Sequence, residues 1–394
     1  MKIGERDAVI SGIGQSAVGR KLGRSGLSLS VEASLIAIAD AGLKPSDIDG
    51  ITSYPGSMPG GSPGMSPHGV HELQEALRLK LNWFAGGPET PGQLGAVMNA
   101  IAAISTGLAN NVLVFRTVTE SSAQTAERRA SVVGSGAGRV AGGAQWMAPF
   151  WALSGANWIA MYAQRYMHLY GLTREQLGQI ALNARYHAQF NPKAIFRDPL
   201  TMDDYLNSRM ISWPFCLFDC DIPCDGSCVV IVSRADRAGD FPKVVRIEAI
   251  GSAMTGRYSW DQREDLCTMA AHDAAASMWN RTDLKVTDLD TAQLYDGFSY
   301  LTLQWLEGLG VFPKGEAGSF LEGGHNIRLG GVLPLNTNGG QLSGGRLHGY
   351  GYLHEACLQL RGEAGERQVP NAEVAVAAAG GGPIAGSLLL TKDR

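Results

Sequence analysis

Apolar runs and glycine-marked breaks follow one another in an order that occurs twice. Residues 7–14 form a short apolar strand that ends in glycines. The spacing of apolar positions predicts an amphipathic helix over 28–41, with Gly42 as its stop. Residues 45–51 lead into a second strand. Residues 55–67 and 83–92 are rich in proline and glycine and read as loops. Residues 93–107 are apolar on nearly all sides, which predicts a helix buried in the middle of the molecule. The unbroken apolar run at 111–116 fits a strand in a sheet covered on both faces.

From 117 to about 223 this alternation stops. Aromatic residues are dense there: Trp146, Phe150, Trp151, Trp158, Tyr162, Tyr166 and Tyr170. They suit either a wall for a bulky apolar group or plain core packing. Thr173-Arg174-Glu175-Gln176 is a capping-box pattern that opens a helix through His187. The first order then returns. Strands are expected at 228–234 and 244–250, a helix at 265–279, and a unit resembling 45–51 at 286–294. A buried helix at 298–309 and strands at 373–379 and 387–390 follow. The repeat predicts two similar α/β halves, 1–238 and 239–394, with a long, partly helical excursion at about 117–223 in the first.

One stretch fits neither element type. Residues 335–351 carry six glycines together with Arg346 and His348. Such a backbone takes φ > 0 readily and admits close approach, so a loop shaped around a ligand is expected, Gly340 included. A helix with Gly362 as its stop should follow from 352.

Composition narrows the function. The chain of 394 residues is 45% hydrophobic and 18% charged, which describes a compact protein with a large core. A net charge of -4 gives no electrostatic footprint for nucleic acid. No apolar run reaches the ~18 residues of a membrane span, and the N-terminus has no signal-peptide core, so a cytoplasmic protein is expected. Cys216, Cys220, Cys224 and Cys228 recur every fourth residue. They lack the paired CxxC knuckles of a zinc site, and Pro214 and Pro223 break any single helix through them. Small buried residues at a strand entrance are expected, with no metal and no disulfide.

Three segments carry a likeness. Gln293-Leu294-Tyr295-Asp296-Gly297-Phe298, residues 335–348 and Ala378-Ala379-Gly380-Gly381-Gly382 resemble the thiolase superfamily, in its sterol-carrier-protein X and lipid-transfer-protein branch. The likeness covers essentially the whole chain. It implies a five-layer αβαβα fold built from two βαβαβαββ halves. A thiolase places a nucleophilic cysteine where this chain has about Glu89, and a second cysteine at about Ala378. Its Gly-His-Pro motif becomes Gly345-Arg346-Leu347, with His348 just beyond. Without either thiol the acyl-enzyme route is absent.

The steroid side-chain aldolases of this branch also lack the cysteines. The resemblance therefore implies retro-aldol cleavage of a β-hydroxyacyl-CoA, with coenzyme A as part of the substrate and no permanent cofactor. It further implies a homodimer and a separate OB-fold, zinc-binding acyl-CoA-associated partner. A cysteine-free acyltransferase and a catalytically silent acyl-CoA-binding subunit remain alternatives. The family tyrosine is matched by Tyr295, the expected base or proton shuttle. A second family tyrosine is replaced near Arg346, the cation expected to lower the Tyr295 pKa from its usual ~10. His348 is expected to relay a proton and Asp296 to orient neighbours. The backbone N–H groups of Gly380 and Gly381 are expected to hold the thioester oxygen. Glu89 stands at the nucleophile's place, beside a helix N-terminus.

Overall fold

The computed structural model describes residues 4–57, 62–124, 144–152, 154–254, 256 and 263–393, the side chains of 144 and 146 excepted. The Trp146 side chain and part of the 117–223 excursion thus lie outside what is described. In the first stretch β1 (Ala8–Gln15), α1 (Gly26–Asp40), β2 (Gly50–Ser53), α2 (Val70–Leu77), β3 (Trp83–Gly86), α3 (Gly95–Ser105) and β4 (Asn111–Thr119) follow in order. The excursion holds α4 (Gly155–Tyr170), α5 (Arg174–Ala188) and a small ribbon of β5 (Met210–Ser212) and β6 (Phe215–Cys216). Then come β7 (Asp225–Arg234), β8 (Val245–Ala253), α6 (Ala270–Trp279), β9 (Thr291–Leu294), α7 (Ser299–Leu309), α8 (Tyr350–Arg361), β10 (Val374–Gly380) and β11 (Ala385–Lys392).

Nine strands form one sheet in the order β3-β2-β4-β7-β1-β8-β11-β10-β9. Read inward from each end, the two series match: β2 with β9, β4 with β10, β7 with β11, β1 with β8. The strand sense repeats too. β7 is antiparallel to β1 and β4, and β11 is antiparallel to β8 and β10. β1 and β8 join the halves through only Val9↔Arg246 and Ile10↔Val245. The expected division at 238/239 falls in the 3-10 turn Ala235–Asp240 between β7 and β8.

Successive strand side chains point to opposite faces, and here both faces are covered. Val112 and Val114 of β4, Val230 and Val232 of β7, and Ala375 and Ala377 of β10 share one core with α3 and α8. Leu113, Phe115, Val229 and Ile231 point the other way, onto α1 and α2. Val376, Ala378 and Leu389 point onto α6 and α7, in a core that also takes in α4 and α5. The layers are therefore helix, sheet, helix, sheet, helix. The expected five-layer architecture is borne out, and so is the buried position of α3.

Three local expectations are corrected. Residues 83–86 form an edge strand, paired only with β2, where proline and glycine suggested a loop throughout. The helix expected from 265 begins at Ala270, because the Asp265 carboxylate accepts the N–H groups of Cys267 and Thr268 at 3.0 and 3.2 Å and holds a turn. The helix after the glycine-rich loop begins at Tyr350, two residues early, and ends at Gly362 in the left-handed region. The capping box is present: Thr173 Oγ1 accepts the Gln176 N–H at 3.2 Å and Gln176 Oε1 accepts the Thr173 N–H at 3.0 Å.

Candidate active site

The C-terminal end of β4, the segment before β7, the residues after β9 and the glycine-rich loop meet at one edge of the layers. Backbone hydrogen bonds join them. Asp221 N donates to Gly297 O at 3.2 Å, Ile222 N to Gln341 O at 3.1 Å, and Arg346 N to Ile222 O at 2.9 Å. The loop is not extended: Gly340–Gly344 make a π-helical turn, and Gly339, Gly340, Gly345 and Gly349 all have positive φ. His348 itself lies in the left-handed region at φ 46. Its N–H donates to Gln341 Oε1 at 2.9 Å, which pins it there.

Charged side chains form a line through this junction. Arg346 donates from Nε to Glu120 Oε2 at 2.8 Å and from Nη1 to Asp221 Oδ1 at 3.0 Å. His348 Nε2 lies 3.9 Å from Glu120 Oε2. On its other side, Arg116 Nη2 donates to His348 Nδ1. Arg116 is fully buried on β4, and its Nη1 donates to Tyr54 O and Met65 O at 3.2 and 2.6 Å.

Burial sets the protonation of this line. It pushes the Asp221 carboxyl up to about 7, with Arg346 opposing and Glu120 and Asp296 adding. It drives His348 well below its ordinary value, and the Arg116 and Arg346 guanidiniums add to the effect. Burial disfavours the Arg346 cation, but Asp221 and Glu120 outweigh this, so its pKa rises. His348 is therefore held in its neutral form rather than as an imidazolium.

Tyr295 follows β9 and packs edge-on to Tyr352, ring centroids 6.3 Å apart. Burial raises its pKa, Asp221 raises it further, and Arg346 only partly offsets both. The phenol therefore keeps its proton. Arg346 was expected to make Tyr295 a base, but two carboxylates already engage that cation. Asp296 is fully buried. Its Oδ1 accepts the Gln341 N–H at 2.7 Å and the Tyr352 hydroxyl. Burial pushes its carboxyl up to about 6, against the hydrogen bonds from Tyr352 and Gln341.

The remaining expected residues are placed differently. Glu89 is exposed on the loop before α3. Gly380 and Gly381 make the β10–β11 turn, where Gly381 N donates to Ile384 O at 3.0 Å and Gly380 O accepts from Trp305 Nε1 at 3.1 Å. The Gly381 N–H is thus taken up by the hairpin and is not free for a thioester oxygen. The six cysteines are free thiols, five of them buried. No group of three or more His, Cys, Asp or Glu suited to a metal ion occurs among the described residues.

Arg116, Glu120, Asp221 and Gln341 were missed at the level of sequence. Arg116 carried a signal: it interrupts an apolar strand covered on both faces, where a charge demands a partner. Asp221 was hidden within the cysteine run.

The site thus combines buried acid–base groups with a glycine-rich loop, on a two-half layered fold that has no thiol at its centre. A family profile described as "Thiolase C-terminal domain-like" matches residues 252–390. The chain is 35% identical over 394 residues to a steroid side-chain-cleaving aldolase of Thermomonospora curvata, covering 98% of each chain. It is 34% identical to a 17-hydroxy-3-oxo-4-pregnene-20-carboxyl-CoA lyase of Mycobacterium tuberculosis, over 97% of this chain and 98% of that one. Among solved structures, an Ltp2–ChsH2(DUF35) aldolase matches with TM-score 0.86 and 33% identity over 100% of both chains. The fold and site define a member of the thiolase superfamily. Within it, the chain belongs to the family of the steroid side-chain-cleaving aldolases.

Proposed function

We propose that the protein is a carbon–carbon lyase that cleaves a β-hydroxyacyl-CoA by retro-aldol chemistry, with Asp221 as the base. The observation that carries this reading is the Asp221 carboxyl, bonded to Arg346, 11% exposed, acting on Tyr295 and pushed up to about 7. A base with a pKa near the working pH combines a useful ionised fraction with a useful driving force.

Asp221 takes the proton of the β-hydroxyl. The O–H electron pair becomes the second bond of a ketone, and the Cα–Cβ bond breaks. Its pair passes to the thioester as an enolate. Tyr295, which keeps its proton, donates a hydrogen bond to the enolate oxygen. Asp221 then returns its proton to the α-carbon, giving a ketone and a shorter acyl-CoA. Arg116, Arg346 and Glu120 carry a fixed net charge of +1. Protonation of Asp221 removes its compensating negative charge in the step that creates the enolate's. The cluster therefore gains positive charge where negative charge develops.

The names of the two curated relatives support a sterol-derived side chain as the acyl group. The name of the solved relative supports a DUF35 protein as partner, the counterpart of the expected acyl-CoA-associated protein. The edge strand β3, paired only with β2 and carrying exposed Phe84, supports a homodimer joined at that edge. No helix among the described residues is long and apolar enough to cross a membrane.

The test incubates the protein, alone and with a DUF35 partner, with a steroid β-hydroxyacyl-CoA. A ketone and a shorter acyl-CoA are expected. Tyr295→Phe should slow turnover by about 100-fold, as for loss of a donor to developing charge. An unchanged rate removes Tyr295 from the mechanism. CoA-ester binding without turnover in either format overturns the lyase reading in favour of a binding subunit.

A further inference from the structure

Arg116 has contacts in the site that its charge alone does not explain. It is 0% exposed, yet it sits on a strand in the middle of a sheet. Its Nη1 is held by three carbonyl oxygens, Tyr54 O, Met65 O and Thr117 O, and its Nη2 donates to His348 Nδ1. A guanidinium has donors and no acceptor. Nδ1 of His348 must therefore accept. A neutral imidazole that accepts at Nδ1 carries its proton at Nε2. The imidazolium has no acceptor nitrogen and is excluded by the same bond.

We infer that Arg116 is a positioning residue that locks His348 as the neutral Nε2–H tautomer, aimed at the enolate site. Around the ring stand Arg116 and Gln341 on one side, and Glu120 and Arg346 on the other. The Nε2 atom is 3.9 Å from Glu120 Oε2, too far for a hydrogen bond, and that oxygen already accepts from Arg346. The Nε2–H therefore faces Glu120 without forming a hydrogen bond to it. A neutral imidazole donor polarises a carbonyl without giving up its proton, so it complements the Tyr295 phenol. Placing a second fixed positive charge behind the ring strengthens the N–H as a donor. The backbone contributes as well, since the left-handed conformation of His348 and its N–H bond to Gln341 fix the angle of the ring. This role deepens the retro-aldolase reading, but the tautomer itself does not depend on it.

The experiment records the ring nitrogen resonances of ¹⁵N-histidine-labelled protein between pH 5 and 8, with His348 assigned by its loss in His348→Gln. The Nε2–H tautomer without titration is expected. In Arg116→Met the ring should mix tautomers while burial and Arg346 still hold it neutral, and kcat should fall about 100-fold with KM changed by less than about 3-fold. Arg116→Lys should restore part of both. Because Arg116 also ties Tyr54 and Met65, a structural cost could imitate the kinetic loss. His348→Gln separates the two: Gln keeps an N–H near the Nε2 place and has no tautomer to lock. Adding Arg116→Met to His348→Gln should then cost little more in kcat. A wild-type Nδ1–H tautomer, a titrating His348, or equal losses from Arg116→Met in both backgrounds overturns the inference. A locked tautomer in a protein that turns over no β-hydroxyacyl-CoA would overturn the lyase reading and leave the lock standing.

Discussion

Gly340 lies against Asp296 so closely that a Cβ on the glycine would meet Oδ2 at 2.0 Å. The Asp296 Oδ2 atom is buried and has no hydrogen-bond partner among the described residues, while Oδ1 takes both Gln341 and Tyr352. The glycine-rich loop thus closes over a carboxyl group, and only a residue without a side chain allows it. Gly340 also has φ 58, in the left-handed region.

Gly340→Ala should therefore be costly for two reasons. The left-handed backbone penalises any Cβ by about 1 kcal/mol, and the contact with Asp296 forces the loop or the carboxyl to move. A total loss of about 2–4 kcal/mol is expected, in the range of single changes with a named steric cause. Urea unfolding of the variant checks it. A midpoint equal to that of wild type would show that the loop does not close as described. Turnover should fall as well, because the same turn carries Gln341, which anchors His348.

Asp221 makes stability and activity move in opposite directions with pH. Its carboxyl is pushed up to about 7 in the fold and titrates near ~3.9 when unfolded. The neutral form is the one the fold favours. The stability it gives is present below the unfolded value and is lost as the pH rises through about 7. Asp221→Asn, which cannot ionise, should match wild type at pH 4 and exceed it at pH 8. A shift of about 3 units corresponds to at most about 4 kcal/mol. Activity runs the other way, because the base works only when ionised. The wild-type kcat/KM should fall about tenfold per pH unit below 7, and Asp221→Asn should lose about 10²–10⁴-fold. Thermal melts and a pH–rate profile on both proteins decide. A variant less stable than wild type at pH 8 would show that Asp221 is held as a structural ion pair.

How far the sequence could be read depended on which contacts are local. The runs at β4 and β7 announce themselves because both faces are covered, so nearly every position is apolar. β3 does not, because only β2 supports it and its exposed Phe84 and Gly86 leave no pattern. Tyr295 and the loop of Arg346 and His348 are legible through their motifs. Their chemistry is not, because it is set by partners far away in the chain. Glu120 lies 226 residues from Arg346, and Arg116 lies 232 residues from His348. The direction of the Tyr295 shift depends on Asp221, whose position beside the phenol no spacing rule reveals.

The cysteines separate a retro-aldolase from a thiol-dependent acyltransferase. Cys224 packs against the glycine-rich loop, with its sulfur 3.3 Å from where a Cβ on Gly345 would lie. It is 0% exposed, and burial holds its thiol well above the ordinary range. Burial likewise pushes Cys228 and Cys357 up to about 12. Thiolates form the bonds in acyl transfer and alkylation alike, so none of these is a nucleophile at neutral pH. Iodoacetamide should leave the folded protein unmodified at these three positions, and turnover should persist after treatment. Loss of activity matched to alkylation of Cys224, or a stable acyl-protein on incubation with acyl-CoA, would revive the acyltransferase reading.

The partners of Arg346 explain why it cannot be exchanged alone. Its guanidinium bridges Glu120 and Asp221, whose side chains are 3% and 11% exposed. Removing the cation strands two carboxylates in a poorly solvated place. Breaking such a buried pair costs about 3–5 kcal/mol. Arg346→Met and Arg346→Tyr should both incur it, the tyrosine somewhat less through its hydroxyl. Arg346→Lys should keep part of the stability, because one ammonium cannot reproduce the two directed bonds of a planar fork. The loss should also shrink on acidification. A stranded carboxyl has a raised folded pKa, so the destabilisation is smaller where Asp221 and Glu120 can take up protons and larger where they cannot. Urea unfolding at pH 5.5 and pH 8 should therefore show a greater deficit at pH 8 for Arg346→Met. A deficit that is equal at the two pH values would mean that packing, not charge, is what Arg346 contributes.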